Sequence, residues 1–260
     1  MMNQHPTVDA FAHTYNTPSY ADPTEAVADF NRYQREWSAS EFGSHAISTR
    51  MELPRERIRE WEKGSKPDVV RGIETAREHA WLECDIDSSE FAALNRLVAG
   101  VYSGGSIAEA NFVPSFSVPD SMVEDQLRAD LELLGAGCRL VMSNSGNVEE
   151  FRPERDSSVL GRVLVALGAP QGQKAQTVDA LPAYLESASD GIRHSFVRVY
   201  VSNRGVHIED KGLIQIMEQR PARYLDALAE LIRSVTDIEL WRGDGSIRFR
   251  DDALSVLDLV

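Results

Sequence analysis

The sequence has few lysines, few cysteines and no long apolar run. Four of its 27 basic residues are lysine, at positions 63, 66, 174 and 211. No apolar run approaches the roughly 20 residues that a membrane-spanning helix needs, so we expect no membrane partner. The two cysteines, Cys84 and Cys138, lack the spacing of a metal-binding pair, and we expect both to be buried thiols.

Residues 1–23 lack the features of a targeting segment. This stretch is polar and rich in Asn, Pro, Ser and Thr, without the basic-then-apolar order of a signal peptide. We therefore predict a disordered leader over residues 1–23 and a cytoplasmic location for the protein.

The charge balance is strongly acidic. The 260 residues carry a formal net charge of −14, and arginine supplies most of the positive charge. An acidic, lysine-poor composition resembles that of proteins from salt-accumulating, halophilic microbes. Phosphate affinity falls steeply with salt, so a DNA-binding protein in concentrated salt cannot depend on a basic surface. The acidic total therefore argues less strongly against DNA binding than it would in dilute salt.

Hydrophobic periodicity divides the rest of the chain into three segments and a linker. Residues 24–88 are typical of an all-helical domain. Residues 89–168 and 182–260 each give the order helix, strand, strand, helix, strand, strand, helix. The polar, Gly- and Gln-containing residues 169–181 lie between them as a linker. We therefore predict an α+β protein with a helical N-terminal domain followed by two similar repeats.

The helical segment contains the pattern of a helix-turn-helix. A short helix over 40–49 is followed by a turn through residues 50–53 and by a second helix over 54–62, which begins at a proline and ends before Gly64. Such modules place the second helix in the major groove of DNA. The alternative is a plain helical hairpin with solvated side chains. The basic residues that we predict to contact DNA here are Arg55, Arg57, Arg59 and Lys63.

Each repeat begins with a glycine-containing helix that leads directly into a strand. In the first repeat the run is Val98-Ala99-Gly100-Val101-Tyr102-Ser103-Gly104-Gly105-Ser106-Ile107. The second copy lies within residues 190–208, about a hundred residues later. These runs resemble the motif helices of the LAGLIDADG homing endonuclease family, and residues 167–182 resemble the inter-repeat segment of its archaeal, two-motif members. Gly100 suits a helix whose backbone approaches that of its partner closely.

The resemblance implies the architecture of the two repeats. Each would be an αββαββα unit, and the two antiparallel sheets would form a saddle that lies in the major groove. One chain then supplies an internal pseudo-dimer, so we expect either a monomer or a homodimer. The strands and helices predicted after the two motif helices are, in chain order, strand 111–118, helix 121–134, strands 139–144 and 148–152, strand 213–218, helix 221–234, strand 239–242, turn 243–245 and strand 246–250.

The residues that the family uses for catalysis are replaced here. The family cuts DNA by metal-assisted hydrolysis, and the last acidic residue of each motif holds the divalent metal. Ser103, Gly104 and Gly105 stand at that place in the first motif, and Ser202 and Arg204 in the second. An arginine opposes metal binding by its charge. We therefore expect no catalytic residue, no metal, no cofactor and no endonuclease activity.

The groove-facing surface would remain. Alternation along the strands predicts that Phe112, Phe116 and Val118 face the covering helices. Arginine and asparagine are suited to bidentate pairing with base edges. The alternative is an ordinary solvated strand face. The residues of the repeats that we predict to face DNA are Asn111, Ser115, Ser117, Arg242, Ser246, Arg248 and Arg250.

The sequence leaves three functions open. The first is a sequence-specific double-stranded DNA-binding protein, a transcriptional regulator built on a catalytically inactive core. The second is an active endonuclease whose metal ligands have moved to Glu109, Glu209 and Asp210. The third is an acidic protein-interaction module. We favour the first.

Overall fold

A computed structural model describes residues 5–39, 43–117, 121–142, 149–174 and 178–259. Within these residues, no helix is both long and apolar enough to cross a membrane. Cys84 and Cys138 are half-buried free thiols.

The N-terminal domain is helical, as its periodicity predicts. Its aromatic core forms where Trp61 meets Phe30 and Tyr33, each with ring centroids 5.3 Å away. The Asp22 carboxylate caps the second helix by accepting from the Thr24 backbone N–H at 2.8 Å, so Asp22 and not Thr24 is the capping residue and the helix begins at Pro23. The helices among its described residues are α1 (Val8–Ala12), α2 (Pro23–Ala39), α3 (Ser44–Met51), α4 (Arg55–Glu62) and α5 (Asp68–Glu78).

The prediction of a disordered leader is wrong for residues 5–23. Helix α1 forms there and packs against α5 and against α8 (Ser157–Ala166) of the first repeat. Phe11 is fully buried in this contact. The Arg162 guanidinium of α8 lies 3.9 Å from the ring centroid of Tyr15. The polar average composition conceals a few apolar side chains whose partners lie far away in sequence, and their burial orders the segment.

The two repeats share one element order, which confirms the predicted αββαββα arrangement. A 3₁₀ turn, Ala183–Glu186, precedes the second repeat, and another, Glu209–Lys211, joins its first two strands. The first repeat consists of α6 (Ser89–Ser103), β1 (Ser106–Ile107), β2 (Pro114–Ser115), α7 (Ser121–Leu133), β3 (Cys138–Met142), β4 (Glu149–Pro153) and α8. The second consists of α9 (Asp190–Arg204), β5 (Gly205–Ile208), β6 (Leu213–Met217), α10 (Ala222–Thr236), β7 (Leu240–Gly243), β8 (Ser246–Arg250) and α11 (Ala253–Val256).

The strand order is also repeated. In the second repeat the antiparallel order is β5-β6-β8-β7. In the first, β1 pairs with β2 and β3 with β4. Two backbone hydrogen bonds of 2.9 and 2.8 Å between Phe116 and Phe151 join β2 to β4. The first repeat therefore has the equivalent order β1-β2-β4-β3, with a shorter ladder.

Helices α6 and α9 pack side by side and form the centre of the repeats. Near their N-terminal halves, the buried Asn95 amide donates to the Ile192 carbonyl at 3.0 Å and to the Ser195 hydroxyl at 2.9 Å. Near their C-terminal ends, the Asn203 amide donates to the Ser103 hydroxyl at 2.7 Å. The two helices therefore run parallel, with their C-terminal ends in contact.

The expected reason for Gly100 is wrong. A Cβ atom at this position would lie 3.2 Å from Cδ1 of Phe116. The glycine thus makes room for the Phe116 ring of its own repeat, and a side chain at this position would meet that ring and not the partner helix.

The predicted strand 111–118 is much shorter in the structure. Asn111 lies in a turn, Phe112 has a left-handed φ of 59°, and the strand covers Pro114–Ser115. The Arg162 guanidinium of helix α8 lies 3.8 Å from the Phe112 ring centroid, so this segment packs against α8. Val118, residues 143–144, the turn 145–147 and Val148 lie outside the described residues.

Removal of the Phe11 side chain tests whether the leader is packed. We expect Phe11→Ala to lower the free energy of unfolding by about 3–5 kcal/mol, because the substitution leaves a cavity in a buried site. The matched control is Asp9→Ala on the exposed side of the same helix, which we expect to change it by less than about 0.5 kcal/mol. Urea denaturation followed by circular dichroism measures both. Equal, small effects would contradict the packed helix.

Candidate nucleic-acid interface

The second sheet has one covered face and one open face. Ile214, Ile216, Ile247 and Phe249 are buried on the covered face. The residue pairs of the register place Val206, Gln215, Arg248 and Trp241 in one row across the open face.

Arg248 and Arg250 lie on this open face, as the alternation of the strand predicts. Both are exposed, and Arg250 lies opposite Leu213. Exposed apolar side chains surround them: Val206 is 60% exposed, Met217 53% and Trp241 40%. The face combines two arginines with apolar and aromatic surface, which suits contact with base edges and sugars or with a protein.

Arg242 lies on the covered face, contrary to prediction. It pairs with Ile247 across the hairpin, and its guanidinium donates to the Asp226 carboxylate at 2.8 Å and to the Ser246 carbonyl at 3.1 Å. The predicted turn 243–245 is one residue too long. The actual loop is Asp244–Gly245, so Gly243 pairs with Ser246. A slip of one residue moves every side chain of the strand to the other face, and Trp241 takes the open position.

Ser246 is on the open face but is buried, at 3% exposure. A Cβ atom on Gly243 would lie 2.6 Å from its hydroxyl oxygen, so the serine fills the space beside that glycine. We predicted that Ser246 faces DNA, and its burial contradicts this prediction.

The first sheet has a row of residues equivalent to the open-face row of the second sheet, with different side chains. The ladder pairs Ser106 with Ser115 and Arg139 with Arg152. Because Phe116 is opposite Phe151, Ser115 is next to Arg152. The row across this sheet is therefore Ser106, Ser115, Arg152 and Arg139. Arg152 therefore occupies the position that Arg248 has in the second sheet. Arg139 is exposed, and Arg152 is half-buried with the Glu150 carboxylate at 3.0 Å.

The polar residues predicted in the first repeat have other roles. Ser115 is buried and donates its hydroxyl hydrogen to Glu150, so it is not a groove contact. Asn111 is exposed, but its side chain accepts from the Val113 backbone N–H at 3.2 Å and belongs to a turn. Ser117 is half-buried near the end of α6.

Two of the four predicted contacts of the N-terminal domain are simply exposed. Arg55 and Arg59 lie one turn apart on the surface of α4. Lys63 is exposed and pairs with Glu60 at 2.7 Å. Arg57 is not an outward contact, since it donates to the Tyr20 hydroxyl at 2.8 Å and its guanidinium lies 4.7 Å from that ring centroid. The packed leader therefore uses this arginine internally.

Among the described residues, the contact between the ends of α6 and α9 is made by Ser103 and Asn203 and not by a carboxylate. Asn203, which the sequence interpretation missed, is the α9 side chain that meets Ser103. Its Oδ1 atom is buried without a hydrogen-bond partner among the described residues. Arg204 donates from Nη2 to the Met217 carbonyl at 2.9 Å and to the Glu218 carboxylate at 2.6 Å.

A pocket of about 220 Å³ lies beside these helix ends, and its charges are mostly positive. Glu218 and Arg220, with side chains 4% exposed, form an ion pair of 3.2 Å. Lys174 donates from Nζ to the Val101 carbonyl at 2.7 Å and to the Gly105 carbonyl at 2.5 Å. The residues that line the pocket are Tyr102, Ser103, Lys174, Arg204, Glu218, Gln219 and Arg220.

Burial and positive neighbours act together on Lys174. Burial lowers the pKa of its ammonium to about 8, and the charges of Arg220 and Arg204 act in the same direction against the opposing effect of Glu218. Desolvation and nearby like charges both disfavour a charged ammonium group. No sequence pattern indicated this cluster, because Lys174 lies in the predicted linker and the ion pair of Glu218 and Arg220 is created by the fold.

The alternative metal ligands do not form a cluster. Glu109 lies in an exposed turn, and Glu209 and Asp210 lie in the exposed 3₁₀ turn between β5 and β6. Within the described residues, no group of three or more His, Cys, Asp or Glu side chains is placed to hold a metal ion.

Comparisons with known proteins give matches at the level of solved structures. No protein-family model matches the chain, and no curated protein matches it. The chain is similar to the N-terminal LAGLIDADG domain of DUF199/WhiA, at 11% sequence identity and a TM-score of 0.42 over 66% of this chain and 83% of that one. It is also similar to full-length DUF199/WhiA from Thermatoga maritima, at 11% identity and a TM-score of 0.45 over 66% of this chain and 56% of that one.

Proposed function

We propose that this protein binds double-stranded DNA sequence-specifically, as a transcriptional regulator, and does not cut it. The observation that carries the proposal is the pair of equivalent arginines, Arg152 and Arg248, at the same register position of two sheets with the same strand order. Arginine is the most common side chain in specific contacts to guanine in the major groove. A repeated arginine suits two similar half-sites.

The two open faces would act as one surface. In this proposal the sheets flank the α6–α9 pair and form a saddle over the major groove, which is wide enough for a β-ribbon. Arg139, Arg248 and Arg250 are exposed on these faces and would reach base edges or phosphates, and the half-buried Arg152 would exchange its ion pair with Glu150 for a contact to DNA. Trp241, beside Arg248, would contact sugars or thymine methyl groups.

The N-terminal domain would add a second contact. Helices α3 and α4 are joined by residues 52–54, with a left-handed turn at Glu52. The Ser48 hydroxyl donates to the Leu53 carbonyl at 2.7 Å and fixes this turn. Two short helices with exposed Arg55 and Arg59 on the second are consistent with a helix-turn-helix that enters the groove.

The charge at the ends of α6 and α9 supports binding without cleavage. A divalent metal needs hard oxygen ligands, and carboxylates supply them in most sites. Here Ser103 and Asn203 meet between the helices, and Arg204, Arg220 and Lys174 surround the adjacent pocket. These cations would repel a metal ion at this place.

A protein partner is the second candidate, because of the apolar side chains on the open face. Val206, Met217 and Trp241 are all at least 40% exposed on one sheet of an acidic chain. Contiguous exposed apolar surface can mark a protein interface. In that case Trp241→Ala would abolish partner capture, and the arginines would not affect any DNA affinity.

Selection from a random duplex library in potassium-rich buffer tests DNA binding. We expect one enriched motif. Arg248→Gln should then weaken binding to it by about 1–3 kcal/mol and relax the sequence preference at one base pair, since a bidentate contact is lost. The matched control is Arg233→Gln, an exposed arginine of α10 on the covered side, which should leave the affinity unchanged. Absence of any enriched motif would contradict the proposal.

Cleavage is tested separately on a supercoiled plasmid that carries the selected site. With magnesium or manganese present, we expect no nicked or linear product, because Glu218 is the one carboxylate among the described residues that line the pocket and it is paired with Arg204 and Arg220. A known two-motif endonuclease with its own site provides the positive control. If product does form, Glu109→Gln, Glu209→Gln and Asp210→Asn would show whether a displaced carboxylate is responsible.

A further inference from the structure

The pocket beside the ends of α6 and α9 carries an excess of positive charge in a chain whose total charge is negative. Lys174, Arg204 and Arg220 face it with one carboxylate, Glu218. The formal net charge of the whole chain is −14. Three cations from three different parts of the chain thus converge on one pocket of a protein that has few basic residues and many acidic ones. We infer that this pocket binds a phosphate-type oxyanion.

The donors needed for such a ligand are in place. Arg204 is exposed, and its hydrogen bonds to the described residues all come from Nη2, which leaves its Nε and Nη1 groups to donate. Lys174 uses two of its three ammonium donors on the Val101 and Gly105 carbonyls. Ser103 also lines the pocket, but its hydroxyl hydrogen is donated to the Ala99 carbonyl at 2.7 Å, so the donors for a ligand come from Arg204 and Lys174.

The shape of the pocket is fixed by buried groups. Arg220 donates to the Tyr102 carbonyl at 2.6 Å and to the Tyr200 hydroxyl at 3.1 Å, and it pairs with Glu218. Its charge is therefore held in place before any ligand enters, and little reorganisation is needed on binding. The pocket of about 220 Å³ has room for one tetrahedral oxyanion and some water.

The electrostatic balance also favours an anion. The pKa of Lys174, about 8, is lowered by burial and by the charges of Arg220 and Arg204, while the charge of Glu218 acts in the opposite direction. A bound anion would stabilise the charged ammonium and raise this pKa. Affinity should therefore fall as the pH rises through the pKa of Lys174, while Arg204 and Arg220 remain charged.

The oxyanion can come from one of two sources. One is a backbone phosphate of bound DNA, and the other is a free phosphate or phosphate ester. The DNA source rests on the proposed function, whereas the free anion does not. An anion from DNA would anchor the duplex at the centre of the two sheets.

Lysine titration by NMR tests the inference on the full chain. Lysine labelled with ¹³C gives four side-chain signals, and Lys174→Met assigns one of them. Sulfate is the first probe, because its charge does not change while Lys174 titrates. We expect saturating sulfate, and likewise inorganic phosphate, to raise the pKa of Lys174 by about one unit, which corresponds to tenfold tighter binding to the charged form.

Substitutions of Arg204 show whether anion binding depends on its positive charge or on its other contacts. Arg204→Gln should weaken sulfate binding at least about tenfold, and Arg204→Lys should restore most of it, since a cation remains at the mouth. Arg233→Gln removes an exposed arginine that does not line the pocket and should have no effect. An unchanged pKa of Lys174 in the wild-type protein with sulfate and with phosphate would overturn the inference without any variant.

Selected duplex DNA distinguishes the two sources. If a backbone phosphate is the ligand, saturating DNA raises the pKa of Lys174 and excludes sulfate, and Arg204→Gln weakens DNA binding. If a free anion is the ligand, sulfate still binds in the presence of DNA. If no DNA binds at all, the proposed function fails, and the sulfate titration still decides the inference.

Discussion

The packing of α6 against α9 is the contact on which the rest of the structure depends. Asn95 joins the N-terminal halves of these helices, and the Asn203–Ser103 hydrogen bond joins their C-terminal ends. Because like ends meet, the strands that follow each helix start from one place and run into two sheets with the same order. The cationic pocket lies beside the joined helix ends, and the register within each sheet sets the equivalent positions of Arg152 and Arg248.

The chemistry of the helix ends determines what this arrangement can do. A pair of carboxylates there would attract a divalent metal. This chain instead has serine and asparagine at the contact and Lys174, Arg204 and Arg220 in the pocket beside it. Three cations and one carboxylate, Glu218, face the pocket, so its formal charge is positive. In the proposed function, DNA placed over this pocket would be bound through its phosphates.

Some of this could be predicted from the sequence, namely the features that depend on local patterns. Alternating residues placed strand Ser246–Arg250 correctly, with Arg248 and Arg250 on its open face. The element order of both repeats was also predictable from periodicity. Arg242 was placed on the wrong face, because a turn one residue shorter than expected reverses a strand.

Other features depend on contacts between distant segments and leave little local signal. The leader packs because Phe11 finds a buried site beside α5 and α8, and Arg57 is held by Tyr20 of the same leader. Lys174 reaches the end of α6 from a segment whose composition indicates only a linker. Arg139 and Arg152 could have been found, since the alternation of β3 and β4 places them opposite each other.

The pocket beside the ends of α6 and α9 should bind an anion and not a divalent cation. Crystallography tests this most directly. Crystals soaked separately in selenate and in manganese chloride would show by anomalous scattering which ion occupies the pocket. The account predicts a selenium peak within hydrogen-bond distance of Arg204 and Lys174, and no manganese peak there. A manganese peak between α6 and α9, with no selenium in the pocket, would contradict it.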